Sequence, residues 1–549
     1  DFEQKHWDIN HWVRGACLYG VMPANGLLYA PQNPCACFPE AKQYGLNALA
    51  PAKGPRINTS AARTVRLQKG PAYDQIDNSQ STIVNPNDWP TYRHDNARSG
   101  RTGASIRLPL PSAWKRSIGG NLTSPVVAGG KVFVASKDTH TVHALDARSG
   151  RSLWSYTAGA RVDSAPTVYG RMVLFGSTDG YVYNLRASDG APVWRFRAAP
   201  MDQRAMWFEQ LESVWPVHGS VLVQDGVVYF VAGRSAFLDD GMRLIRLDPV
   251  TGRMLSETVL NDQDPDAGMA IQDYARQHNM PVTLPDILSC DGRLVYMRSQ
   301  PFDLKGNRLT LEALPYAGNP ERYSIPSTQR PEHAHLFCPT GFLDDSWWHR
   351  TYWVYGSRFL GGWAGYPQAG KVAPSGKILV FDEENVYGYG RQPQYYRWTT
   401  PIEHHLFSAA KDPSAVERKQ PEPPDKKKQN QKRGFQVAHH WTKDIPLFVR
   451  AMVMAGRTLF IAGPADIIDE NEIRKRIGTA EADRQLREQV AAFAGKKGAM
   501  LWAVSASDGQ KQAELILDES PVFDGMAAAY GRLFLTTVNG SVQCLGENR

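Results

Sequence analysis

Between His333 and Trp353 the chain reads HAHLFCPTGFLDDSWWHRTYW, which sets Asp344, Asp345, Trp348, His349 and Arg350 within one short run. An imidazole changes charge near neutral pH and serves as general acid or base. His349 is therefore the candidate catalyst, with Asp345 or the distant Asp163 as its partner. Trp348 and Trp215 offer flat faces of the kind that saccharide and quinone sites need. Arg14, Arg161, Arg350 and Arg450 can clamp a carboxylate or sulfate through paired hydrogen bonds. That set suits abstraction of a proton α to a carboxylate, as in elimination on an acidic sugar. It suits binding without chemistry equally well. A second set is soft: Cys17 with the Cys35-x-Cys37 pair gives three thiols, and His-His pairs stand at 404/405 and 439/440. A metal site, a disulfide or buried free thiols all remain open for these cysteines.

The elements that must position these residues are strands. From Thr123 to Gly190 the sequence contains the same unit twice. Each copy opens on Ser-Pro or Ser-Ala-Pro, continues through a short apolar strand and an alternating one, and turns at Ser149-Gly150 or Asp189-Gly190. Each ends on a strand carrying Trp154 or Trp194. Period-two alternation broken by Gly turns gives four antiparallel strands per unit, and a repeat of roughly 40 residues is that of a propeller blade. The chain reads as an all-β, eight-bladed β-propeller of four-stranded antiparallel blades, with seven if the fifth is not real. Its strands read as one ring over 1–549, the N-terminal strand around Trp7 completing the last blade and the strand around Trp114 ending the first. Residues 52–106 read as an irregular excursion, 411–440 as a basic insertion and 465–497 as a helical insertion, with the insertions gathered on one face. Inner-strand starts line a propeller's central channel. Arg14, Arg161, Asp163, Glu212, Trp215, Asp286, Asp345, His349, Arg350, Arg450 and Asp524 would then converge on one mouth. The alternative is a ring of Arg–Asp pairs that only holds the blades together.

ALDARSGRSLW (144–154) resembles the repeat of quinoprotein-type (PQQ-binding-like) propellers, in which the Trp docks on the neighbouring blade. Wording such as WPTYRHDNARSG (89–100), ESVWPVHGSVLV (212–223) and GFLDDSWWHRTYW (341–353) is similar to the C-terminal part of large planctomycete-type propeller repeat proteins. The resemblance implies a fold and a periplasmic or secreted setting, with a further N-terminal region or partner subunit outside this chain. It does not imply a reaction. Quinone dehydrogenases of this type stack PQQ on a Trp opposite two adjacent cysteines and hold calcium with Glu, Asn and Asp. This sequence has no adjacent cysteine pair. PQQ or a metal ion is thus a cofactor without a matching motif. Other proteins with this repeat are scaffolds.

Composition narrows the partners. The net charge of +7 over 549 residues is concentrated in ERKQPEPPDKKKQNQKR (417–433), which reads as a solvated insertion rather than a nucleic-acid face. No apolar run is long enough to span a membrane. Six cysteines are too few for a disulfide scaffold. Asp1 opens in what reads as a strand, as in a chain processed or cut from something longer. The expected partner is a polar or anionic small molecule or glycan. Carbohydrate binding with acid/base turnover, quinone- or metal-dependent oxidation and a non-catalytic scaffold are the three functions left standing.

Overall fold

The structure is a computed structural model describing residues 15, 20–32, 45–50, 65–76, 85–207, 209–261, 285–309, 333–346, 352–357, 370, 373–391, 404–411 and 437–547. It is a β-propeller. The two sequence copies fold as expected: Val126–Ala128, Lys131–Ser136, Thr141–Asp146 and Ser152–Thr157 form one antiparallel meander, and Thr167–Tyr169 to Pro192–Arg197 form the next. Sheets of the same build begin at Leu222–Gln224, Ile378–Phe381, Ala451–Ala455 and Pro521–Ala529. Two smaller, three-stranded sheets begin at Ser289–Cys290 and His335–Phe337.

One tryptophan device joins neighbouring sheets. The indole N–H groups of Trp114, Trp154, Trp194 and Trp441 donate to the carbonyls of Ala147, Ala187, Pro249 and Ala506 on the following sheet, at 3.0–3.1 Å. Each ring lies against the turn glycine there, Gly150, Gly190, Gly252 or Gly509, all with positive φ. A side chain at those positions would be strained and would also strike the indole. The turns are set by their own aspartates. Asp146, for example, accepts from the amides of Arg148 and Ser149, an Asx turn that delivers Gly150 to its left-handed conformation.

Two organisational expectations are corrected. The strand around Trp114 does not end the first blade. Ser112–Ser117 pairs antiparallel with Ser541–Leu545 and so occupies the outer place of the last sheet, joining late chain to early chain. The expected closing strand, Asp1–Asn10, lies outside the described residues. The described parts of 52–106, residues 65–76 and 85–106, do not run away from the ring either. Leu67–Lys69 adds a fifth strand beside Pro192–Arg197, and Asn87–Thr102 passes beneath the inner strands, bonding to one after another. Trp89 exchanges both backbone hydrogen bonds with Val127, Pro90 O accepts from Val168, and Asn96 O from Cys290. Ser99 O accepts from Phe381, Gly100 O from Met454 and Asn87 O from Tyr530. This plug carries Arg93 and Arg98, both fully buried. Burying a guanidinium is costly unless it is hydrogen-bonded; Arg93 reaches the carbonyl of Leu379, and Arg98 those of Leu288 and Tyr92 through Nε and Nη1, its Nη2 making no hydrogen bond among the described residues.

The helical insertion is present. Helix α1 (Glu470–Lys475) is capped by Asp469 and helix α2 (Ala480–Phe493) by Thr479. Helix α2 docks through Phe493 on Phe448 and through Gln489, which bonds Ala465 O and Ile467 N. Most of the basic insertion, 412–436, lies outside the described residues.

Candidate functional site

Above the plug the channel widens into a cavity of about 760 Å³. Its floor is Tyr92 from the plug with Phe342 and Phe523, and its wall includes Asn121, Thr123, Arg161, Asp163, His218, Arg234, Asp345 and Arg450. The plug beneath makes the funnel blind. Most wall residues lie just ahead of inner strands, where the chain crosses from one blade to the next, so successive blades each deliver side chains to one mouth.

One side of the funnel is a continuous charge chain. Buried Glu212 lies 2.7 Å from Arg161 Nη2 as an ion pair on one oxygen and accepts a hydrogen bond from Arg234 Nη2 at 2.7 Å on the other. Arg161 also holds Asp163, its Nε 3.0 Å from Oδ1. Asp163 Oδ2 meets His218 Nδ1 at 2.6 Å. Burial pushes the Asp163 carboxyl up, but His218 and then Arg161 outweigh it and hold it well below the usual carboxylate range. Arg234 lies over the Trp207 ring at 4.3 Å. Within this chain two arginines match two acids, and His218 ends it with a side chain 20% exposed to the funnel.

The rest of the lining differs. Burial lowers the Arg450 guanidinium, Asp345 supplies the opposing charge, and Arg450 Nε is buried with no hydrogen-bond partner among the described residues. Asp345 is exposed at the rim. Deeper, burial raises the Asp286 carboxyl to about 6, against the pull of Arg298. Asp286 accepts from the amides of Ile287 and Phe342.

Arg161, Asp163, Asp345 and Arg450 are therefore brought together as expected from the sequence. Three expected ligand-binding residues have other surroundings. Glu212 is sealed between its arginines. Trp215 is 1% exposed in the apolar core, its indole bonded to Asp239 O. Asp524 is buried against Arg93 of the plug at 2.7 Å. Arg14, Trp348, His349, Arg350, Cys17, Cys35 and Cys37 lie outside the described residues. His218 was not singled out from the sequence. Its signal was its place in ESVWPVHGSVLV, just ahead of the inner strand Leu222–Gln224.

A quinone–calcium centre does not fit these residues. Trp353, packed behind the floor residues Phe342 and Phe523, is 1% exposed with Arg93 over its ring at 4.6 Å, so that face is taken. Glu212, Asp163 and Asp524 are each committed to arginine, whereas calcium wants several free carboxylate and amide oxygens. Among the described residues no three His, Cys, Asp or Glu side chains are grouped as metal ligands. Cys290, Cys338 and Cys544 are separate buried thiols.

The fold and site define a β-propeller with a blind, charged, partly aromatic funnel. Residues 94–263 match the family model described as outer membrane protein assembly factor BamB, built on PQQ-type repeats. The chain is 28% identical over 175 residues to a 1-butanol dehydrogenase (quinone) of Thauera butanivorans, covering 28% of this chain and 27% of that one. It is 30% identical over 104 residues to a quinoprotein ethanol dehydrogenase of Pseudomonas aeruginosa, covering 16% of each. The chain thus matches only about a quarter of the first relative's length or less of the second's. The crystal structure of quinohemoprotein alcohol dehydrogenase from Comamonas testosteroni aligns with TM-score 0.50 at 14% identity, over 87% of this chain and 84% of that one. At that identity the likeness speaks for the fold alone. The chain thus has a propeller fold in which residues 94–263 are similar to PQQ-type, BamB-like repeats.

Proposed function

We propose that the blind funnel binds a polar, anionic small molecule, with an acidic carbohydrate as the favoured class, in the cell envelope or outside the cell. The observation that carries this reading is Arg450. Arg161 and Arg234 are spent on Asp163 and Glu212, while Arg450 Nε, buried in the funnel wall, has no hydrogen bond among the described residues. A buried donor without a partner costs about 1–3 kcal/mol, a cost that a bound carboxylate or sulfate would remove. Asn121, Thr123 and Gln210 line the same cavity with hydroxyl-matching groups, and Trp207 with an aromatic ring.

Titration calorimetry with oligogalacturonate, beside its neutral methyl ester, tests the reading. The acid form should bind and the ester should not, and Arg450→Ala should weaken binding roughly 10–100-fold, the worth of a charged hydrogen bond. Equal binding of acid and ester, or an unchanged Arg450→Ala variant, would overturn it.

Two other readings have specific support. The quinone-dependent relatives favour an oxidoreductase, and reconstitution with PQQ and calcium followed by dye reduction tests that. The assembly-factor repeat match favours a scaffold, in which substitutions inside the funnel would leave partner binding intact.

A further inference from the structure

The funnel contains an acid/base pair that neither the sequence motifs nor the relatives indicate. We propose that His218, oriented by Asp163, is the proton acceptor of this site and acts on a carbon acid whose carboxylate is held by Arg450. This inference rests on the anionic-ligand reading above and deepens it.

Geometry carries it. His218 Nδ1 lies 2.6 Å from Asp163 Oδ2, so Nδ1 carries the proton it donates to the carboxylate. Nε2 is left with its lone pair, the form a general base needs. Nε2 makes no hydrogen bond to the described residues and is not among the buried unsatisfied atoms, and the ring lines the cavity. Asp163 cannot swing away, because Arg161 holds both its oxygens, at 3.0 and 3.4 Å. Arg161 is in turn tied to Glu212, and Glu212 to Arg234. Asp163, Arg161, Glu212 and Arg234 form one continuous chain of charges. It resembles the way a catalytic imidazole is oriented by a buried carboxylate that is itself held in place.

The chemistry balances without a co-reactant. His218 Nε2 takes the proton from the carbon α to the carboxylate, and Arg450 stabilises the negative charge that spreads onto the carboxylate oxygens. The electron pair forms a carbon–carbon double bond as the bond from the β carbon to its oxygen substituent breaks. The imidazolium then returns its proton to the departing oxygen. On an acidic polysaccharide this cleaves the chain by elimination and leaves an unsaturated sugar.

The test uses polygalacturonate, alginate, hyaluronan and heparin, with binding measured by calorimetry and product by the ultraviolet absorbance of the new double bond. For a polymer that binds, turnover should fall roughly 10²–10⁴-fold in His218→Ala and in Asp163→Asn, with Kd little changed. Added imidazole should restore turnover to His218→Ala, which a purely structural role for the ring would not permit. Circular dichroism confirms that each variant is folded. Binding without product from any of the polymers would overturn the dyad's catalytic role and leave the binding reading intact. Turnover that survives His218→Ala but is lost in His349→Ala would move the role to His349. If no polymer binds, the anionic-carbohydrate reading fails and this inference fails with it.

Discussion

Replacing Arg93 by methionine isolates what the plug contributes. Arg93 and Asp524 are an ion pair at 2.7 Å with side chains 2% and 5% exposed. Arg93 also donates to the carbonyls of Arg98 and Leu379 and covers the face of Trp353. Breaking a buried pair from one side strands the other charge, at a cost of about 3–5 kcal/mol, a large share of the 5–15 kcal/mol by which ordinary domains are stable. The sign with pH follows from Asp524. Burial already raises its carboxyl, and Arg93 is the charge that opposes the rise. Without Arg93 the folded-state value climbs further above the unfolded one, so the folded state takes up a proton. Arg93→Met should therefore be most destabilised at neutral pH and should recover as pH falls toward the unfolded value near 4. Urea unfolding followed by tryptophan fluorescence measures the loss, and a cycle with Asp524→Asn measures the coupling. The double variant should be more stable than Arg93→Met alone. A loss below about 1 kcal/mol, or strictly additive losses, would refute the view that this pair anchors the plug.

Other expectations are as direct. Gly190→Ala sets a Cβ 2.7 Å from the Trp154 ring at a φ of +74°, and should cost at least about 1–2 kcal/mol from the backbone alone, read as a lowered unfolding midpoint. Trp154→Ala, which removes the same dock from the other side, should cost about 3–5 kcal/mol by the same measurement. Asp286, raised to about 6 by burial, penalises the folded state as it ionises. Wild type should lose up to about 3 kcal/mol between pH 4 and pH 7 that Asp286→Asn does not lose, and parallel pH profiles for the two proteins would contradict this. Since Asp163, Glu212 and Asp524 are committed to arginines, PQQ with calcium should leave the thermal midpoint unchanged, and a saturable rise would show that these carboxylates can be recruited.

The sequence by itself determined the repeat. Alternating strands, Ser-Gly or Asp-Gly turns and a tryptophan on the last strand are local patterns, and the pleat and the turn geometry leave them little freedom. They pointed to the propeller and to the delivery of Arg161, Asp163 and Arg450 to one mouth, while the tryptophan docks followed from the family resemblance. Tertiary structure alone decided the rest, because contacts between residues hundreds of positions apart have no local signature. Residues 87–102 have no periodicity of their own, since their backbone bonds go to inner strands around the ring, so they read as an excursion while serving as its floor. Trp114 belongs with the last sheet because its strand pairs with Ser541–Leu545, a pairing that closes the ring and cannot be read from the order of the chain. Trp215 and Glu212 sit beside the funnel in sequence, yet one faces the core and the other is held between two arginines. His218 and Asp163 stand 55 residues apart, on chain entering adjacent blades. Only the packing of one blade against the next brings an imidazole within hydrogen-bond reach of that carboxylate.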